Sequence, residues 1–351
     1  MTGLTTALCL QRRGFAVTIA ADRFAPHVTS VVAGALWEWP PAVCGHDRNL
    51  DRAKAWAERS YRVFAELAAN PAAGVFIRPV AFYFRRPVAE NPLLHNKRNE
   101  LARIARDFRH DAALIQENAV NPALGFRDAY SHLAPMVDTD VYLAWLMKEV
   151  QAAGCRIVER KLHSLHDGLL AEFEAGAVVN CSGLGARDLG DDTVYPLRGA
   201  VIRVRNDGRA IPRITQAHCV SHDGASPDPV FIFIVPRGCD QLILGGFAEP
   251  NESRLDIGLD NYEPVREVLR RCVEFLPALR GVKIDDVEPV RVGLRPARQQ
   301  NVRLERQHGT SIVHNYGHGG SGVTLSWGCA EDAAKLVEQI SPSEPRPLGS
   351  D

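Results

Sequence analysis

The sequence predicts an α/β protein in which a parallel-sheet unit is interleaved with a larger mixed-sheet region. Three features predict this class. An apolar helix and a short strand open the chain and end on an acid, a later strand runs into a glycine turn near residue 181, and a glycine-dense loop leads into a long apolar helix after residue 316.

From Gly3 to Arg13, Leu4, Ala7, Leu8 and Leu10 recur at helical spacing, and Gly14 supplies a C-terminal stop. Phe15 to Ala21 is short, β-branched and almost wholly apolar, as befits a strand buried on both faces of a parallel sheet, and it ends at Asp22. Helix, strand and acid in that order form half of a Rossmann-like dinucleotide-binding unit, in which a strand feeds a glycine turn, a helix starts on the phosphates, and an acid about 20 residues on holds a ribose. Only Met1 and Thr2 stand before Gly3, so the first strand and the first two glycines of the fingerprint are missing. The expectation is a start site placed too late, with Met1 standing where a valine-type start codon was read, and a chain that binds its dinucleotide poorly as written.

Residues 48–70 carry apolar side chains between charges as an amphipathic packing helix does, residues 75–87 look like strands, and Lys97 to Arg109 is expected to be solvated. Asp138 or Thr139 can cap a helix from about 140 to 153 that Gly154 stops. Arg156–Leu162 and Ala177–Asn180 then read as strands, the second entering CSGLGAR, where the chain returns to the nucleotide unit. GAVIRVR, PVFIFIVP and QLILGG between 199 and 299 alternate as a mixed sheet does. The expected division is 1–40, 137–198 and 300–340 for nucleotide binding, 41–136 and 199–299 for substrate binding, and 341–351 as a disordered tail.

A length of 351 residues suits about two domains. With 46% hydrophobic and 24% charged residues, the composition is too apolar for disorder and too polar for a membrane protein. The net charge of -1 comes without a polybasic run, which argues against nucleic acid and anionic membranes as partners. Eight cysteines occur with no CxxC pair, as expected of small apolar side chains in a reducing compartment, and the last three residues, Gly349, Ser350 and Asp351, are unlike a peroxisomal address. The cytoplasm is the expected location.

Gly317, Gly319, Gly320 and Gly322 precede an apolar helix from Val323 to Ile340. Backbone N–H groups of such a loop, with the positive end of a helix, offer a pocket for an anion or for developing negative charge. Two HxxxH spacings, His218 with His222 and His314 with His318, have no helix to carry them, so no metal is expected; His314 and His318 are read as hydrogen-bonders that order a loop.

These pieces together are detailed enough to place. GLTTALCL, ADRFAP with TSVVAGALW, NCSGLGAR, PLRG, the LGG strand end, GLRPAR and HNYGHGGSGVTLSWGCA occur in an order that resembles the FAD-dependent D-amino acid oxidase family, which includes D-aspartate oxidase, over nearly the whole chain. The resemblance implies FAD as cofactor. It assigns Gly3 to the third fingerprint glycine, Asp22 and Arg23 to the adenosine ribose, and Thr29, Ser30, Gly34, Ala35 and Leu36 to the loop along the pyrophosphate and flavin ring. It assigns Lys161 and Leu162 to the strand beside the adenine, Ser182 and Gly183 to the second glycine turn, and Gly319, Gly320, Ser321, Gly322, Val323 and Thr324 to the flavin's pyrimidine edge.

For the substrate, the residues alone leave Arg295, Arg298, Arg303 and Arg306 open; the resemblance selects Arg295, whose planar fork can fix an α-carboxylate in both position and orientation. Gly320, Ser321 and Phe233 complete the expected substrate site, with Phe233 standing where the family usually has a tyrosine. No side-chain acid or base is expected, because hydride transfer to a flavin needs orientation of a neutral amine more than proton transfer. Phe247 and Ala248 stand where D-aspartate oxidases carry a further arginine, which favours neutral or apolar D-amino acids. Dioxygen is the expected electron acceptor, and a homodimer is the one protein partner to consider. Glycine, secondary-amine or D-aspartate oxidation, and a truncated inactive chain that binds no FAD, are the competing readings.

Overall fold

The computed structural model describes residues 1–41, 50–165, 167–220 and 230–340. Helix α1 spans Thr2–Gln11, with Ala7, Leu8, Cys9 and Leu10 buried, and its stop at Gly14 has φ +88°, a left-handed turn that suits glycine. Strand β1 is Thr18–Ala21, shorter than the apolar run because Phe15–Val17 serve as its approach. Helix α2 (Leu50–Leu67), strand β2 (Val75–Phe84), helix α3 (Pro92–Ile104), strand β3 (Arg109–His110), the single turn α4 (Leu114–Glu117) and strand β4 (Asp128–Val137) follow. Then come α5 (Thr139–Ala152), β5 (Arg156–Glu159), α6 (Asp167–Glu172), β6 (Val178–Asn180), β7 (Val194–Arg205), β8 (Ala217–Val220), β9 (Val230–Arg237), β10 (Gln241–Phe247) and β11 (Glu249–Pro250). The chain closes with α7 (Glu263–Phe275), β12 (Val290–Arg298), β13 (Arg303–Arg306), β14 (Ile312–Tyr316) and α8 (Gly322–Ile340).

One continuous sheet of nine strands runs β11-β7-β10-β9-β8-β2-β4-β3, with β12 also paired to β7. Across it, Phe82 faces Cys219, Cys219 faces Phe233, and Phe233 faces Gly245, so these residues share one face. The opposite face, with Ile202, Ile234 and Leu244, packs on Val265, Val268, Cys272 and Phe275 of α7, four residues at helical spacing. The other strands form two smaller pieces, parallel β1 with β5, and β13-β14-β6 with β14 parallel to β6. Around these pieces α1, α5 and α8 bury Leu8, Tyr142, Leu146, Trp327 and Ala334 in one cluster.

Several expectations are corrected. Lys97 is not solvated: it is 5% exposed on α3, its ammonium 2.8 Å from Glu38, because the charged run folds as a helix that turns this residue inward. His218 lies in strand β8, not in a polar loop, buried with Nδ1 2.9 Å from the Tyr83 hydroxyl; His222 falls outside the described residues, as does the tail after Ile340. Asp138 occupies the N-cap of α5 but makes no capping bond with its side chain, and the Thr139 hydroxyl donates instead to the Val31 carbonyl at 2.8 Å.

Candidate active site

One cavity of about 2350 Å³ runs through the protein, larger than the roughly 300–1,000 Å³ typical of small-molecule pockets. At one end, β1 delivers Asp22 and Arg23, and β5 leads to Lys161 and Leu162; all four line the cavity, with the Lys161 ammonium 3.7 Å from Asp188. Thr29 and Ser30 lie on a short 3-10 turn along the same wall, and Gly3 and Ser182 line it as well. Gly183 does not: it makes the turn after β6 at φ +60° but stays outside the lining.

Gly34, Ala35 and Leu36 carry the wall onward. A Cβ at Gly34 would stand 2.3 Å from Cε1 of Phe233, so only glycine lets that ring lie flat against the backbone. Ala35 has φ +54°, a left-handed conformation costing an alanine about 1–2 kcal/mol. The Val137 N–H donates to its carbonyl at 2.9 Å and helps to hold it there. Such local strain gathers where a fold positions a ligand.

Facing this wall, Gly319, Gly320, Ser321, Gly322, Val323 and Thr324 also line the cavity, Gly319 with φ +54°. The Thr324 hydroxyl accepts a bond from the Glu38 backbone N–H at 3.3 Å, which ties the two walls together. His318 is buried, its Nε2 lacks a partner among the described protein atoms, and burial pulls its pKa down to about 4, so the imidazole is neutral. His314 sits in β14, with Nε2 3.0 Å from Oε1 of Gln307 in the turn that precedes the strand.

Arg295, on β12, reaches into the cavity with Phe233. Its Nη1 donates to the carbonyls of Arg198 at 3.3 Å and Phe247 at 3.2 Å, and no carboxylate pairs with it among the described residues. Burial lowers its pKa to about 10, which still leaves it cationic at neutral pH. Arg298, the neighbouring candidate, is occupied at 2.8 Å by Asp191. The structure therefore brings every expected site residue except Gly183 to one cavity.

Two residues of the site were missed. At Gly199 a Cβ would lie 2.2 Å from Arg295 Nη1, so the absent side chain makes room for the guanidinium. Its signal was the glycine directly after Arg198 in PLRG. Glu38 lines the cavity too, and its signal was a lone acid between two tryptophans.

An acid and basic residues at one end, a strained small-residue loop, a glycine-rich helix start and an uncompensated guanidinium suit a dinucleotide with a redox ring beside an anionic substrate. The sequence pattern of the DAO family, described as FAD dependent oxidoreductase, matches residues 1–336. The chain belongs to that family, and FAD is its cofactor. It is 38% identical to a D-amino-acid oxidase of Rubrobacter xylanophilus over 339 residues, covering 95% of this chain and 92% of the relative. It is 35% identical to a D-amino-acid oxidase of Streptomyces coelicolor over 340 residues, covering 95% and 93%. The solved glycine oxidase of Bacillus cereus has the same fold, with a TM-score of 0.75 at 17% identity over 96% of this chain and 92% of that one. No helix among the described residues is long and apolar enough to cross a membrane.

When bound, FAD supplies a two-electron sink that takes a hydride from a substrate carbon. The protein's own part is to fix that carbon. Arg295 brings a cationic fork to the cavity that Phe233 and Leu36 also line.

Proposed function

We propose that this protein oxidises D-amino acids to 2-oxo acids. In the overall reaction the substrate Cα–H and N–H bonds give up two electrons and two protons to dioxygen, forming hydrogen peroxide, and water then hydrolyses the imine to the 2-oxo acid and ammonia. One observation carries the reading: a cationic guanidinium, Arg295, lies without a carboxylate partner among the described residues in the cavity that Phe233 also lines. An α-carboxylate supplies the missing anion, and a bidentate fork fixes which hydrogen of Cα is presented. Names of relatives over most of the chain support the same substrate class.

In this reading Asp22, Arg23, Lys161, Leu162, Thr29 and Ser30 hold the adenosine and pyrophosphate part, and Gly34–Leu36 with Gly319–Thr324 hold the flavin ring. Residues 1–40, 137–198 and 300–340 form the cofactor-binding part, and 41–136 with 199–299 the substrate-binding part. Phe247, fully buried, and Ala248 offer no cation to a second carboxylate, which favours neutral side chains. The reading takes dioxygen as acceptor and the cytoplasm as the place of work, and leaves a homodimer to a sedimentation measurement.

The test is a panel of D- and L-amino acids with the FAD-loaded protein, read by peroxide formation. D-Alanine should be oxidised and L-alanine not. Arg295→Lys should lower kcat/KM for D-alanine by about 100-fold or more, since an ammonium cannot fork, while keeping the bound-flavin spectrum. A flavin-loaded protein inert toward every D-amino acid, or an Arg295→Lys variant of unchanged kcat/KM, would overturn the reading.

A further inference from the structure

We propose that Glu38 selects the substrate's side chain, favouring D-amino acids whose side chain donates hydrogen bonds or carries positive charge and rejecting those with a carboxylate. This rests on the D-amino acid reading and adds to it the chemistry at the far end of the substrate.

Arg295 and Glu38 line the same cavity. Between them lies the sheet face whose neighbouring residues are Phe233, Cys219 and Phe82, in adjacent strands β9, β8 and β2. Strands are spaced about 4.8 Å apart, so Phe82 stands roughly 10 Å from Phe233 along this row. The Glu38–Lys97 pair sits at the Phe82 end: the carboxylate is 2.8 Å from the Lys97 ammonium, which lies 5.7 Å from the Phe82 ring centroid. A substrate anchored at Arg295 can thus extend its side chain over an apolar floor toward this pair.

The pair is ordered from the cavity outward. Glu38 lines the cavity and its side chain is 23% exposed, whereas Lys97, at 6%, does not line it. An incoming group therefore meets the carboxylate first. A carboxylate accepts at about four lone-pair positions and an ammonium offers three protons, so Lys97 cannot saturate it. Burial first, and the Glu38 charge after it, push the Cys219 thiol on the sheet floor well above its ordinary range, while Lys97 pulls the other way. Phe82, Cys219, Phe231 and Phe233 on this floor are uncharged, so the charge a side chain meets there is the Glu38–Lys97 pair, its carboxylate towards the cavity. A second carboxylate at this end is repelled in a poorly hydrated site, while an amide N–H or an ammonium finds an acceptor.

D-Glutamine and D-glutamate have nearly the same shape and differ in this chemistry. The FAD-loaded protein should show a kcat/KM for D-glutamine at least tenfold above that for D-glutamate, with D-lysine also above D-glutamate. Glu38→Gln should shrink the D-glutamine to D-glutamate ratio at least fivefold, chiefly through KM. Because that variant leaves Lys97 buried beside a neutral amide, the double variant Glu38→Gln with Lys97→Met, which removes both charges, is measured beside it. A ratio that stays within twofold of the parent in whichever variant folds and holds FAD overturns the proposal. Titrating the flavin absorbance with D-glutamine and D-glutamate under anaerobic conditions separates the two readings. If nothing is oxidised the reaction class fails, yet the binding ratio still supports the proposal, or sinks it when the two bind equally.

Discussion

The two sides of the cavity are built differently. On the substrate side, nine strands pair into one continuous sheet, and α7 covers its outer face with four buried apolar residues. On the cofactor side, the strands fall into two pieces, β1 with β5 and β6 with β14 and β13, and Ala16–Ala21 and Val178–Asn180 both line the cavity. Each piece has an edge that no described strand pairs, so its N–H and C=O groups are not closed by a neighbour. Order there depends on α1, α5 and α8 and on what occupies the cavity. The lesson is one of division: the continuous sheet carries Arg295, the proposed substrate anchor, while the divided strands on the proposed cofactor side are expected to gain stability from bound FAD.

The largest expected effect tests those open edges. A segment of about ten residues, an apolar strand and its turn, fused ahead of Met1 is expected to enter beside α1, where two buried polar atoms, Asn315 Oδ1 and His318 Nε2, lack partners among the described residues. Pairing with β1 and β6 on both sides should raise the melting temperature by about 3 °C or more, each net 1 kcal/mol shifting a chain of 351 residues by about 1.4 °C at roughly 2.1 cal/mol/K per residue. FAD affinity should rise with it, by up to about 100-fold if the coupling lies at the upper end of the usual range. Calorimetry and flavin fluorescence titration measure both. If neither moves, the two edges do not bound a strand-wide slot, and the contrast between the halves loses its main support.

Much of this contrast was legible in the residues, because each signal was local. The α1 spacing of Leu4, Ala7 and Leu8, the Gly14 stop, the β-branched run of β1 and the glycines before α8 each specify their own backbone. The errors came where a distant partner decides. Lys97 reads as a surface charge until Glu38, 59 positions earlier, is known to face it. His218 reads as part of a polar loop until β2 and β9 are seen on either side of its strand. Gly199 shows in the sequence only as the glycine of PLRG: its meaning lies in Arg295, across the β7–β12 ladder.

Gly199→Ala probes the substrate side with a smaller effect. The new Cβ would overlap Arg295 Nη1 and push the guanidinium off the Arg198 and Phe247 carbonyls, while Asp22, Ser30 and Gly320 stay untouched. kcat/KM for D-alanine should fall about tenfold, or ~1.4 kcal/mol of transition-state stabilisation, with the FAD affinity unchanged. Steady-state kinetics beside a flavin titration separates the two quantities. A parallel loss of FAD would mean that the two sides are not independent.

The smallest effect concerns acid. Burial holds His132 and His218 on the large sheet, and His314 and His318 on the cofactor side, down to about 4, against an ordinary value near 6.5. All four folded values are depressed, so the unfolded chain takes up protons first as pH drops below about 6.5. Stability from this source is therefore complete above that pH and is lost between about 6.5 and 4, each histidine adding up to ~1.4 kcal/mol per pH unit to the slope. At His218 the reason is geometric: Nδ1 faces the Tyr83 hydroxyl, which also accepts from Asn118 at 2.9 Å and so has its own proton to give to a neutral ring. Protonated Nδ1 would bring a second donor to that contact. His218→Gln keeps an acceptor there without a titrating group, so its melting temperature should fall less steeply from pH 6.5 to 4.5 than the parent's. An unchanged slope would show that the acid sensitivity resides in the other buried histidines, His132, His314 and His318.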